Sequence, residues 1–367
     1  MKCSIMFFMG FVIPASAMGQ DAGAPQPAEI RIVNNADARA FEIIVGPFEL
    51  PAGTRAAAEM GPMGQGGHDA HGGAVYAPVT TLVAPESVYL TGFSYEVRDG
   101  TGAVLPTEFL HHLNIINPDN RELFVPISQR MLALGKETGS QKLPGLFMGY
   151  PVPGGTRMVV TAMMHNPSPD TLHGVVVTVK LNYVPAGRPW PLFNVYPFQL
   201  DVAFPAGDKS WDLPPGRHTW SYEASPMVAG RLMGIGGHLH ENAESLVLED
   251  VTANKVIWEG FPVEDEQGTV VEVTIGKLYR TGGVKLHPDH VYRVSVTYVN
   301  ETADTVFGGG MGVVAGVFMQ KGSGMWPLAD KTLELYTLDR SHYMREVFGT
   351  MGEIMAGEAA SAASHEH

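Results

Sequence analysis

The chain has 367 residues, of which 45% are hydrophobic and 17% charged, with 43 Gly and 27 Pro. It is long enough for two domains with separate cores and too apolar to be disordered, and its Gly and Pro content favours short strands joined by turns over helices. The net charge of −14 argues against nucleic acid and against an anionic membrane surface as partner. In chain order, residues 1–17 read as a secretion signal: Lys2 at the charged end, an apolar run from Ile5 to Ile13, and Ala15-Ser16-Ala17 at a cleavage position. The one cysteine, Cys3, lies inside it, so the exported chain would carry neither disulfide nor thiolate ligand. A polar spacer covers 18–27. Strands follow at Glu29–Val33 and Phe41–Val45, then a Gly-, Met- and His-rich loop over 56–73 that includes Met60, Met63, His68 and His71.

Further strand patterns recur at Ser87–Val97, His111–Ile116, Met158–His165, Val175–Val184, Arg231–His240, Ser245–Val251, Val270–Ile275, Val291–Val299 and Val313–Met319. Turn residues separate them, among them Asp99-Gly100, Asn117-Pro118, Gly154-Gly155, Pro215-Gly216 and Gly282-Gly283. A helical pattern first occurs at Arg340–Ile354. The expected fold is all-β, two tandem antiparallel β-sandwiches over 28–186 and 187–340, with a partly helical or disordered tail over 341–367. The boundary falls where Pro185, Gly187, Pro189, Trp190 and Pro191 cluster. No internal repeat stands out. No stretch after the signal reaches 18 uninterrupted apolar residues, so the mature chain is expected to lack a membrane span and to reside in a periplasm or outside the cell.

The chemistry-bearing residues are His111-His112, His165, His238-Leu239-His240 and Met311, in that order. On a strand, residues i and i+2 share a face, so His238 and His240 present two imidazoles on one side. The bland alternative is a solvated pair of half-exposed histidines. His111 and His112 are adjacent and would face opposite ways unless a bulge or strand end re-aims one of them. His165 ends a strand, where a turn or surface histidine is the ordinary reading. Met311 follows Gly308-Gly309-Gly310 and by default fills a core. Imidazole suits copper and thioether sulfur selects Cu(I), so three histidines followed by two histidines and a methionine read as two copper sites.

This order resembles the copper type II, ascorbate-dependent monooxygenases, which include peptidylglycine α-hydroxylating monooxygenase and dopamine β-monooxygenase. The resemblance spans roughly Ser87 to Met319. It implies two β-sandwiches with copper on either side of an interdomain cleft. His111, His112 and His165 would bind the electron-transfer copper; His238, His240 and Met311 would bind the copper that activates dioxygen. It further implies a small-molecule substrate, dioxygen and an external electron donor such as ascorbate as partners. The chain departs from the family in lacking its disulfides. Gly236 stands where the peptide-hydroxylating enzyme has a substrate-binding arginine, and Val313 and Ala315 stand where it has an asparagine and a tyrosine. The expected activity is C–H hydroxylation of a small, fairly apolar substrate; the alternative is a non-catalytic copper-handling protein on the same fold.

Overall fold

The computed structural model describes residues 28–53, 75–187, 189, 191–203, 206–207, 209–266, 268–322 and 324–344. The signal segment, the spacer, the loop over 56–73 and the chain beyond residue 344 lie outside the described residues.

Period-two burial builds the sheets. Along Leu172–Pro185 the residues Val175, Val177, Val179, Leu181 and Tyr183 point inward. Along Tyr292–Asn300 the inward set is Tyr292, Val294, Val296, Tyr298 and Asn300. Alternation of this kind, rich in β-branched and aromatic residues, favours strands with one face on a core.

The protein is all-β, two sandwiches in tandem. In the first, one sheet runs Glu29–Asn35, Ala40–Leu50, Leu172–Pro185, Val88–Arg98, Met148–Val152 and Phe193–Asn194. Its companion runs Val75–Tyr76, Arg157–Met164, Leu110–Arg121 and Ser128–Gly135. In the second sandwich, one sheet orders Tyr196–Asp201, Gly312–Gln320, Gly230–Leu239 and Val284–Leu286. The other orders Gly216–Ala224, Tyr292–Asn300, Ala243–Asp250 and Lys255–Gly260. One apolar core runs through both sandwiches, from Phe41, Ile43 and Leu113 to Phe198, Val296 and Phe318.

The two halves share a side-chain device at equivalent strand ends. Asn166 donates from Nδ2 to the carbonyls of Leu50, Pro51 and Asp170, while its Oδ1 accepts from the Ser168 amide and hydroxyl. Asn300 does the same with Leu213, Asp304 and Thr302. The spacing Asn-x-Ser/Thr-x-Asp-Thr occurs at both places, and Gly174 and Gly308, eight residues after each Asn, have φ of 62° and 60°. Each knot lies at the end of a strand whose neighbour is bulged, at His111 in the first half and at Glu244 in the second. The halves are therefore structural repeats at these positions.

The strands of the second sandwich end at Gln320, and the chain then returns to the first. Trp326 donates to the Arg121 carbonyl and stacks on Tyr196 with centroids 4.2 Å apart. A helix over 334–344 starts six residues before the expected one and docks on the first sandwich. There Asp339 forms a buried bidentate pair with Arg130, Tyr336 donates to the Pro118 carbonyl, and Tyr343 packs with Ile116 and Val159. Those partners are more than 180 residues distant in sequence, so local periodicity carries no sign of them.

Candidate functional site

The strands Gly230–Leu239 and Gly312–Gln320 pair antiparallel with His238 opposite Val313 and Leu239 opposite Gly312. Continuing that register by one step sets His240 opposite Met311, just past the last paired residues. A single buried hydroxyl ties them. Tyr298 Oη accepts from the His240 amide at 2.9 Å and the Met311 amide at 3.2 Å, and donates to the Met311 carbonyl. The imidazoles of His238 and His240 lie with centroids 5.0 Å apart at 88°.

His238 is oriented from the other sandwich. Its Nδ1 bonds Oε1 of Glu137 at 2.5 Å, and the Glu137 side chain is only 3% exposed. The neighbouring Lys136 pairs with Glu241, giving the 136–137 turn two attachments to the histidine strand. Gly135 makes room for this: a Cβ there would lie 2.7 Å from Glu137 Oε2. Glu137 Oε2 has no hydrogen-bond partner, and neither does Oδ2 of the buried Asp201, whose nearest cation is Lys209 Nζ at 3.5 Å. Asp201 pairs with Val313, which pairs with His238, so the three form one cross-strand row.

The electrostatics follow from this burial. Burial pushes the Glu137 carboxyl up, but the charge of His238 and their hydrogen bond outweigh it and bring it down to about 2. Burial pushes His238 down, and the charge and hydrogen bond of Glu137 more than reverse it, so it lies above the ordinary histidine range. His240 is pushed down to about 4, first by burial and then by the charge of His238. A carboxylate on Nδ1 fixes the ring orientation and leaves Nε2 as the outward nitrogen of His238.

The other three histidines gather at one end of the first sandwich's second sheet. Leu110 pairs with Met164 and His112 with Met163, which leaves His111 as the extra residue of a β-bulge. With a bulge at that position, neighbouring residues need not face opposite ways, and the two half-buried imidazoles stand 5.2 Å apart by centroid. The His165 amide donates to the Phe109 carbonyl at 3.0 Å, so His165 lies one strand over at the same sheet end. Burial lowers its pKa. His112 also pairs with Gly135, two residues from Glu137. The two histidine groups therefore flank one turn. Among the described residues, no three His, Cys, Asp or Glu side chains are arranged so that they alone could hold a metal ion.

Sequence reasoning missed Glu137, Asp201 and Tyr298. Glu137 is 101 residues from its histidine, and no motif marks it. The alternation in Tyr292–Asn300 predicts that Tyr298 is buried but not where its hydroxyl points.

No family model matches the chain, and no curated protein matches it. Among solved structures, it is similar to a chain from an archaeal virus described for its triple jelly-roll fold and turret assembly, with 13% identity and a TM-score of 0.17. That alignment covers 67% of this chain and 55% of the other, so the chain spans about half the length of that structure. A secreted-protein candidate from Eubacterium rectale aligns at 7% identity and TM-score 0.21, covering 68% of this chain and 74% of that one.

Proposed function

We propose that the protein is an exported dicopper monooxygenase that hydroxylates a C–H bond of a small substrate, using dioxygen and an external reductant such as ascorbate. The observation that carries this reading is the Tyr298 hydroxyl, which joins the backbones of His240 and Met311, with His238 two residues before. Two imidazoles and a thioether form a donor set suited to Cu(I). The buried Oε2 of Glu137, without a hydrogen-bond partner, leaves carboxylate charge beside His238 that favours a cation there. His238, His240 and Met311 would hold one copper; His111, His112 and His165 share a sheet end, and holding the other copper there would require their side chains to close in around the ion. Copper at the first of these would supply one-electron chemistry with dioxygen, and copper at the second a further electron.

The protein's own residues would act around these ions. Glu137 would orient the His238 ring with Nε2 outward, and a bound cation would displace the ring proton that this carboxylate favours. The depressed pKa of His240 keeps its imidazole neutral, the form that ligates, at neutral pH. Tyr298 would fix the spacing between His240 and Met311. Export rests on the sequence of residues 1–17; among the described residues no helix is long and apolar enough to cross a membrane.

A second reading, a copper-handling protein without catalysis, is favoured by Gly236, Val313 and Ala315, where the resembling enzymes hold substrate. Copper per chain, measured by elemental analysis after dialysis, tests the shared part. Two ions falling to one in His240→Ala supports both readings, and no bound copper refutes both. Oxygen uptake with ascorbate, coupled to a hydroxylated product and lost in Met311→Ile, separates the enzyme from the carrier.

A further inference from the structure

The strand that carries His238 and the one that follows Met311 end, at their other extremity, in a groove of about 680 Å³. Seven residues of strand separate His238 from Arg231, about 23 Å at roughly 3.3 Å per residue, so this groove is distinct from the histidine site. Its charge is opposite to that of the chain. Arg231, Lys285 and Lys321 line it, and none of its described lining residues is acidic, although the protein carries 38 Asp and Glu against 24 Lys and Arg.

Arg231 and Lys285 are direct cross-strand partners. Like charges placed opposite each other destabilise a strand pair, and among the described residues no carboxylate forms an ion pair with Arg231, Lys285 or Lys321. The Arg231 guanidinium is held in place by the carbonyls of Gly282 and Gly283, at 2.9 and 3.1 Å from Nη1. Nη2 and Nε remain for a ligand. Lys321 is fixed by its amide, which donates to the Ala229 carbonyl at 2.8 Å.

Part of the lining is apolar. Leu192 and Phe193 are 61% and 49% exposed, and Met319, the other cross-strand neighbour of Arg231, lines the groove with them. Phe193 is held in position by parallel pairing with Met148 and by its amide, which donates a hydrogen bond to the Phe147 carbonyl. A volume in the range of small-molecule sites, a cationic end without counter-charge and a fixed apolar lining match one ligand chemistry.

We propose that this groove binds a single-chain anionic amphiphile, its carboxylate at Arg231 and Lys285 and its aliphatic chain along Leu192, Phe193 and Met319. The site is independent of the copper reading. Isothermal titration of the full chain with decanoate below its micelle concentration tests it, with decanamide and propionate as comparators and Lys285→Glu as the variant. A carboxylate at position 285 pairs internally with Arg231 and removes the like-charge repulsion, so that variant should melt at the same or a higher temperature. Saturable binding of decanoate, at least tenfold weaker in Lys285→Glu and at least tenfold weaker for both comparators, is the expected result. Equal binding of decanamide, equal binding of propionate, or unchanged affinity in the variant overturns the proposal. So does sedimentation with phosphatidylglycerol vesicles without binding of monomeric decanoate, which would mark the face as a bilayer-docking surface instead.

Discussion

Replacing Tyr298 with Phe keeps the ring and removes one hydroxyl. That hydroxyl takes part in three hydrogen bonds, two accepted from the His240 and Met311 amides and one donated to the Met311 carbonyl. The side chain is fully buried, so water does not replace them. Each such bond contributes about 1 kcal/mol net, and an abandoned buried amide costs about 1–3 kcal/mol. Tyr298→Phe should therefore destabilise the fold by about 3 kcal/mol. Urea unfolding at constant slope gives the total, and hydrogen exchange should show the His240 and Met311 amides losing protection together. Tyr183→Phe is the comparison, since its hydroxyl bonds Asn34 and Glu86 at the solvent edge and its loss should cost under about 1 kcal/mol. A cost below about 1 kcal/mol for Tyr298→Phe, or unchanged protection at both amides, would refute the reasoning that this hydroxyl holds the pair together.

Glu137→Gln retains the shape but removes the charge from His238, and copper affinity at the second-sandwich site should fall about 10- to 100-fold; competition with a Cu(I) chelator measures it, and unchanged affinity would mean the carboxylate does not orient the ring. Glu122 supplies the pH dependence. Burial pushes its carboxyl up to about 7, against three backbone amide bonds and the Arg130 charge. A raised carboxyl stabilises most below its unfolded value near 4.5, and that contribution, about 3 kcal/mol, is lost as pH rises to about 7. Unfolding measured across pH 4.5 to 7 should show this slope flattened in Glu122→Gln. Asp339→Asn leaves the buried Arg130 without its carboxylate partner and should cost about 3–5 kcal/mol; early exchange of the amides in helix 334–344 would identify the element released.

Much of the architecture was legible because it is local. Period two in Val175–Tyr183 and Tyr292–Asn300 marks strands with one buried face. The i, i+2 reading of His238 and His240 rests on the same geometry. His111-His112 needed a bulge or strand end to face one way, and a bulge occurs there, though register with Met163 and Met164 is not written in the dipeptide. What was illegible depends on pairing across long separations. His240 and Met311 are neighbours only because Leu239 pairs with Gly312. The repeated Asn knots were readable in principle as Asn-x-Ser/Thr-x-Asp-Thr, but a few matched positions in each half are lost among unrelated strand residues. The docking of Trp326, Tyr336 and Asp339 on the first sandwich has no local signature at all.

The return of residues 321–344 has a mechanical consequence. The polypeptide crosses between the sandwiches twice, once through the Val184–Val195 connection and again after Gln320, so two covalent connections reinforce the core that the sandwiches share. A single tether permits a swing about one hinge; two tethers, with Trp326 wedged against Tyr196 at the second, restrict that swing. A nick introduced at 187–191 should leave the two fragments bound to each other through a gel-filtration column without denaturant.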